Sequence, residues 1–113
     1  LKEKKYEDAL NLYAESKGAG AEAVDKTLFQ LGQTLSNQGN SEVAALAFER
    51  TIKANPQNAE AYYELGMLLF YDKKSDSRAK ELLEKYVQLG KNVDHVNNTN
   101  NVLVVLKRRM GGK

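Results

Sequence analysis

Residues 28–35 read Leu-Phe-Gln-Leu-Gly-Gln-Thr-Leu, and residues 62–69 repeat their pattern as Tyr-Tyr-Glu-Leu-Gly-Met-Leu-Leu. The shared positions lie 34 residues apart: Leu28, Leu31, Gly32 and Leu35 recur as Tyr62, Leu65, Gly66 and Leu69. Steps of three and four residues place the bulky side chains of each copy on one stripe of a helix. The repetition predicts an array of similar helical units.

A second set of residues repeats at nearly the same interval. Its members are Ala9, Tyr13 and Ser16, then Ala44, Phe48 and Thr51 35 residues later, then Ala79, Leu83 and Tyr86 after another 35. The extra residue places an insertion in the loop 72–77. Small residues on both helices, such as Gly32 and Ala44, leave no bulk where the helices cross. Each unit is therefore predicted to be a tightly packed antiparallel helix pair.

Breaking and capping residues divide the chain into about six helices. Gly18, Gly39, Gly90 and the pair Asn55-Pro56 mark helix ends. The candidate N-caps are Asn40, Ser41, Ser75 and Asp76. The predicted helices run over residues 2–17, 24–38, 41–54, 59–72, 76–89 and 94–109. No segment alternates like a strand, so the predicted fold class is all-α.

This helix pair, with Leu-Gly on its first helix and Ala and an aromatic on its second, resembles the tetratricopeptide repeat. The copy at residues 25–58 carries the match with Leu28, Leu31, Gly32, Leu35, Ala44, Phe48, Thr51 and Pro56. The copy at residues 59–93 carries it with Tyr62, Leu65, Gly66, Leu69, Ala79, Leu83 and Tyr86. This second copy departs from the family pattern in its inserted loop residue, in the bulk of Tyr86, and in Lys91, where Pro is usual.

The resemblance implies a right-handed superhelix of stacked helix pairs, whose first helices line a concave, partner-binding face. We interpret residues 1–113 as a fragment of one tetratricopeptide-repeat domain, because the sequence starts at Leu1 inside a charged stretch. Its predicted parts are a partial repeat at 5–24, repeats at 25–58 and 59–93, a terminal capping helix at 94–109 and a tail at 110–113.

The helix that starts at residue 59 is apolar nearly all round, with Glu60 and Glu64 as the only charges in residues 59–71. Beyond its core positions it carries a second stripe: Tyr63, Met67, Phe70 and Tyr71. The equivalent stripe in the preceding copy is Phe29, Gln33, Ser36 and Asn37. By resemblance these eight residues line the partner-binding groove. The alternative is that Phe70 and Tyr71 pack against the helix at 76–89.

Charge and composition narrow the possible functions. A net charge of +2 provides no strong positive field for nucleic acid. No apolar run reaches the roughly 18 residues that a membrane span needs. The absence of cysteine excludes disulfides and thiolate metal ligands.

Residues 18–23 match a dinucleotide-binding pattern without the strand that must precede it, so we interpret them as an interhelix loop.

Two small clusters have structural explanations that we favour. His95 beside Asp94 lacks a second His or Cys, so we interpret it as part of a helix N-terminus, with no catalytic residue, metal or cofactor expected. The basic run at 107–109 ends a helix, where positive charge complements the helix dipole. An acidic partner or phosphate is the alternative for this run.

The leading function hypothesis is a non-catalytic scaffold whose groove binds a peptide or helix of another protein. The alternative is a spacer or self-association segment of a larger protein, present as a monomer or weak homodimer. Tetratricopeptide domains that hold acidic chaperone tails use Lys and Asn, where this chain has Phe29, Gln33 and Glu64. We therefore expect an uncharged or mildly basic peptide with apolar anchors as the ligand. A cytoplasmic location is favoured, with a periplasmic or membrane-tethered one open.

Overall fold

A computed structural model describes residues 21–73 and 75–111 of the chain, which form five helices and no strand. They are α1 (Ala21–Asn37), α2 (Ser41–Ala54), α3 (Ala59–Asp72), α4 (Asp76–Leu89) and α5 (Val93–Arg109). The predicted all-α architecture of consecutive helix pairs is confirmed. The helix predicted at 2–17 lies outside the described residues. The described residues fall into two compact units, with their boundary between Asn58 and Ala59.

The first unit contains the pair α1 and α2, which pack closely along their length. A side chain on Gly32 would place its Cβ atom 2.6 Å from Cε1 of Phe48, so only glycine allows this ring to fill the crossing. Phe29 stands beside the same ring, with the two centroids 5.6 Å apart. Leu28 and Ala47 are buried next to the partly buried Leu31 and Leu35.

The second unit repeats this packing between α3 and α4. A Cβ atom on Gly66 would lie 2.7 Å from Cγ of Leu83 and 3.5 Å from the carbonyl oxygen of Ala79. Leu65, Ala79 and Leu83 are almost completely buried around this point. The same spacing of residues thus produces the same close helix crossing in both copies.

Helix α5 packs on α4 and also touches α3. Val102, Leu103 and Leu106 face inward, whereas Val104 and Val105 are exposed. The valine-rich run at 102–105 is therefore helical, because burial of one apolar stripe outweighs the weak helix propensity of its valines. None of the described helices combines the length and the apolarity required to cross a membrane.

The helix ends coincide with a glycine of positive φ and with capping side chains. Gly39 has a φ of +82° just after α1, a conformation that favours glycine. The Ser75 hydroxyl accepts a hydrogen bond from the Arg78 amide at the start of α4. The Asn92 side chain caps α5 in the same way, accepting from the His95 amide at 3.1 Å. Ser75 was predicted as an N-cap from the sequence, and Asn92 was not.

A buried carboxylate ties the start of α1 to the turn that follows α2. Asp25 is only 2% exposed, and its Oδ2 atom accepts hydrogen bonds from Asn55 at 3.1 Å and Asn58 at 2.7 Å. The side-chain oxygen of Asn55 also accepts from the Gln57 amide, which shapes the turn at Pro56. These contacts hold the two ends of the first helix pair together.

Arg109 at the end of α5 has specific partners beyond the helix dipole. Its guanidinium pairs with the Asp76 carboxylate, donates to the Phe70 carbonyl and lies 4.6 Å above the Phe70 ring. The hydrogen bond from Arg109 holds the pKa of Asp76 below its usual 3.8. Arg109 lies in the last turn of α5, as the dipole interpretation of the basic run requires, and it also links α5 to α3 and α4.

We predict that Gly66→Leu destabilises the chain by about 1 to 3 kcal/mol, because the larger side chain overpacks the crossing against Leu83. The gain in helix propensity offsets at most about 1 kcal/mol of this cost. Chemical denaturation of the parent and the variant measures the difference. Ser77→Leu on the exposed surface of α4 is the matched control. Equal midpoints for Gly66→Leu and the parent would disprove the close-crossing account.

We also predict that the Asp76–Arg109 pair loses its stabilising contribution in acid. Because the folded-state pKa of Asp76 lies below 3.8, the contribution is complete above that value and disappears as the pH falls through the folded-state pKa. The parent should therefore lose its stability advantage over Asp76→Asn below about pH 4 in thermal melts. Asp94→Asn, an exposed change, serves as the control. An advantage that persists unchanged to pH 2 contradicts the prediction.

Candidate functional site

An open cavity of about 420 Å³ lies between α3 and α5 in the second unit. We call it the α3–α5 cavity. Helix α3 contributes one wall and α5 the other, and the lining side chains are Tyr63, Glu64, Met67, Tyr71, Asn98, Asn101 and Val102. Three residues of the predicted groove stripe, Tyr63, Met67 and Tyr71, therefore share one concave surface.

Tyr63 forms a rigid part of the cavity wall. Its ring stacks on the His95 imidazole, with centroids 4.0 Å apart and planes inclined by 8°. Its hydroxyl accepts a hydrogen bond from the Asn98 side-chain amide at 3.2 Å. Only 9% of Tyr63 is exposed, so this residue is mostly packed between α3 and α5. It can offer a partner only the edge that remains open to the cavity.

A polar cluster supports Tyr63 from behind. His95 Nδ1 lies 2.6 Å from Glu60 Oε1, and the Tyr86 hydroxyl donates to Glu60 Oε2 at 3.0 Å. Burial, reinforced by the hydrogen bond to Glu60, raises the pKa of Tyr86 to about 12. His95 is thus more than the helix N-terminal residue of our interpretation: its side chain connects α5 to α3 through Glu60.

The bulk of Tyr86, a departure from the family pattern, is compensated by Gly90. A side chain at Gly90 would collide with the Tyr86 ring, so the glycine provides the space the tyrosine needs. The ring is completely buried and lies 5.2 Å from that of Tyr63. An apparent irregularity of the repeat therefore supports the cavity wall.

Phe70 and Tyr71 occupy different environments. Phe70 is half-buried under the Arg109 guanidinium and does not line the cavity. Tyr71 is 71% exposed and meets the Phe70 ring edge-on, with the centroids 5.2 Å apart. Of the two, only Tyr71 offers a broad aromatic surface to a ligand.

The stripe predicted in the first copy is less uniform. Phe29 is half-buried against Phe48, while Ser36 is half-buried and Gln33 and Asn37 are exposed on α1. The structure places these four residues on one helix of the first unit. Their role in a groove stays a prediction.

Sequence reasoning missed the α5 side of the cavity. Asn98 and Val102 lie 35 residues after Tyr63 and Met67, the same interval that relates Ala44 to Ala79. Extending that interval past residue 93 would have placed both residues on the same face as the α3 stripe. Asn101 has no such counterpart among the predicted groove residues.

Comparison with known proteins agrees with this architecture. A family model described as tetratricopeptide repeat matches residues 29–93, more than half of the chain. The chain belongs to the tetratricopeptide repeat family. Photosystem I assembly protein Ycf3 of Acaryochloris marina (strain MBIC 11017) is 30% identical over 81 residues, covering 70% of this chain and 49% of that protein. The chain therefore spans about half the length of this curated relative.

Tetratricopeptide repeats generally mediate protein–protein interaction. Within the described residues there is no group of three or more His, Cys, Asp or Glu side chains able to hold a metal ion. His95 contacts a single carboxylate, that of Glu60, while a tight zinc site needs three or four ligands.

We predict that zinc and nickel do not bind this chain stoichiometrically at micromolar concentration, because His95 has too few ligand neighbours. Isothermal titration calorimetry of the parent measures this directly, and His95→Gln is the matched variant. Stoichiometric binding that the substitution abolishes would show a metal site at His95 and overturn the prediction.

Proposed function

We propose that this chain is a non-catalytic scaffold that holds a peptide or helix of a partner protein on the face formed by α3 and α5. The single observation that carries the proposal is the α3–α5 cavity, where Tyr63, Met67 and Tyr71 converge. Concave, mostly pre-formed surfaces are typical binding sites, and this one combines aromatic and aliphatic side chains with asparagine amides and a carboxylate. The first helices of tetratricopeptide repeats are also the ones expected to contact partners.

The two walls offer complementary kinds of contact. Tyr71 and Met67 provide apolar surface that a partner side chain can cover, which is favourable by roughly 25 cal/mol per Å² of buried area. Asn98 and Asn101 are exposed on the facing helix, and each side chain can both donate and accept hydrogen bonds. A peptide lying between the helices could satisfy its backbone groups on α5 while anchoring its side chains on α3.

The relative supports a role in assembly rather than in catalysis. The protein from Acaryochloris marina is named as a photosystem I assembly protein. For this chain we propose the same general role, to hold another protein without changing its covalent bonds. The identity of the partner is not carried over, since the match covers half of that relative.

We predict that Tyr71→Ala weakens binding of peptides selected from a random library by about 1 kcal/mol or more, because exposed aromatic anchors carry much of the energy of an interface. The 71% exposure of Tyr71 should leave the fold stable after substitution. Selection on the parent, followed by fluorescence-polarisation titration of both proteins, gives the measurement. Val87→Ala, an exposed apolar change on α4 outside the cavity, is the control.

The same selection separates the proposal from its competitors. Peptides with apolar anchors that lose affinity for Tyr71→Ala and retain it for Val87→Ala support the proposal. Peptides that end in acidic tails, weaken steeply with salt and ignore Tyr71→Ala would refute it.

Self-association is the second candidate, favoured by the exposed Val104 and Val105 on α5. Sedimentation measurements distinguish it from partner binding. A stable dimer that Tyr71→Ala dissociates would show that a second copy occupies the cavity.

A further inference from the structure

The cavity-lining face of α5 continues beyond the α3–α5 cavity towards the C-terminus of the helix. Asn98 and Asn101 line the cavity from α5. Val105 follows Asn98 by seven residues, and Arg108 follows Asn101 by seven. Since seven residues make nearly two helical turns, Val105 and Arg108 lie on the same face as the asparagines. Both are exposed, so this face ends in an uncovered valine and an uncovered arginine.

The last turns of α3 and α5 are adjacent at this end of the cavity. Arg109 donates a hydrogen bond to the carbonyl oxygen of Phe70 at 3.3 Å, which joins the two helix ends. Tyr71 follows Phe70 in the chain and lines the cavity with a largely exposed ring. The aromatic surface of Tyr71 and the positive charge of Arg108 therefore lie at the same end of the cavity.

Arg108 differs from its neighbour Arg109 in its partners. The Arg109 guanidinium is held by the Asp76 carboxylate. Among the described residues, the Arg108 side chain forms no ion pair or hydrogen bond. Asp72 and Lys73, which are neighbours at the end of α3, carry opposite charges that largely cancel at a distance. The guanidinium of Arg108 is thus exposed and open to an acceptor from a ligand.

We infer that a partner peptide bound in the α3–α5 cavity carries an acidic side chain that pairs with Arg108. This inference rests on the proposed function and adds one charged contact to its apolar ones. A carboxylate can accept two parallel hydrogen bonds from a guanidinium, which fixes its orientation as well as its position. The aliphatic part of the acidic side chain can cover Val105. The pairing corresponds to the acidic-partner alternative for the basic run at 107–109.

The carboxylate of Glu64 does not stand in the way of this contact. Glu64 has an interaction within the protein and lies seven residues before Tyr71 on α3. This separation is about 10 Å along the helix axis, at 1.5 Å per residue. Glu64 therefore faces a different part of the ligand from Arg108. The uncharged or mildly basic ligand expected from the sequence was derived from positions on α1 and α3, and Arg108 on α5 adds an acidic residue to it.

The positions of the cavity and of Arg108 predict a spacing within the peptide. Asn101 and Arg108 are also separated by about 10 Å along their helix. An extended peptide advances about 3.3 Å per residue. When an apolar anchor lies beside Met67 and Asn101, the acidic side chain that reaches Arg108 is therefore about three residues away. This acid is an internal side chain of the peptide and not its terminal carboxylate.

The experiment is a selection from a random displayed peptide library on the parent, followed by fluorescence-polarisation titrations at low salt. Peptides that bind the parent and lose affinity for Tyr71→Ala define the cavity ligands. Among them, Asp or Glu should be enriched about three residues from the apolar anchor. Replacing that residue by Asn or Gln, in peptides with a blocked C-terminus, should weaken binding about two- to fivefold, the effect of an exposed ion pair.

Variants in the last turn of α5 test whether Arg108 is responsible. Arg108→Gln should weaken binding of the acidic peptides two- to fivefold and abolish the enrichment of Asp and Glu. Lys107→Gln removes an equally exposed charge about 100° around the helix, and should leave both unchanged. Arg108→Glu should instead select peptides with Lys or Arg at the same spacing. Thermal melts of the three variants verify that they are folded.

The outcomes distinguish this inference from the proposed function. Selected peptides that depend on Tyr71 and show no enrichment of acidic residues overturn the inference and leave the scaffold proposal intact. Equal losses for Arg108→Gln and Lys107→Gln also overturn it. So does an acidic residue whose replacement weakens binding to Arg108→Gln as much as binding to the parent. The scaffold proposal itself fails when no selected peptide depends on Tyr71.

Discussion

The close approach of the two helices within each pair is the constraint on which the structure depends. At Gly32 and Gly66 a single added carbon would lie within 2.8 Å of a core side chain of the opposite helix. The missing side chains let Phe48 and Leu83 fill the crossings and bury the neighbouring leucines. Each helix pair thereby packs closely around the apolar contacts at its crossing.

Helix α5 attaches to the second helix pair through a different set of contacts. Its apolar stripe is buried against α4, but its link to α3 is mainly polar and aromatic, through His95, Glu60 and Tyr63. Such a link is directional, since a hydrogen bond and a stacked ring pair both fix orientation. The α3–α5 cavity results from this arrangement: the helices are joined at one end by the His95 cluster and at the other by Arg109, with open space between.

The second apolar stripe of α3 is partly buried against neighbouring residues and partly exposed. The sequence predicted a second stripe on this helix, but its four residues differ in environment. Phe70 lies under a guanidinium, whereas Tyr63, Met67 and Tyr71 line the cavity, with Tyr63 mostly buried by stacking on His95. Periodicity could not separate them, because residues on one helical stripe look equivalent until a neighbouring helix covers some of them. Asn98 was missed because the repeat interval was not extended past residue 93, and Asn101 has no counterpart among the predicted groove residues.

The sequence by itself determined the repeat, the helix pairs and most helix bounds, because glycines at the crossings, leucine spacing and capping residues act locally along the chain. It also indicated that α3 carries a second apolar stripe beyond its core positions. Only the tertiary structure decided that Asp25 is buried with Asn55 and Asn58, that Glu60 meets His95, and that Arg109 holds Asp76. These partners are separated by 30 residues or more, so their pairing depends on how the helices pack and leaves no pattern in the sequence.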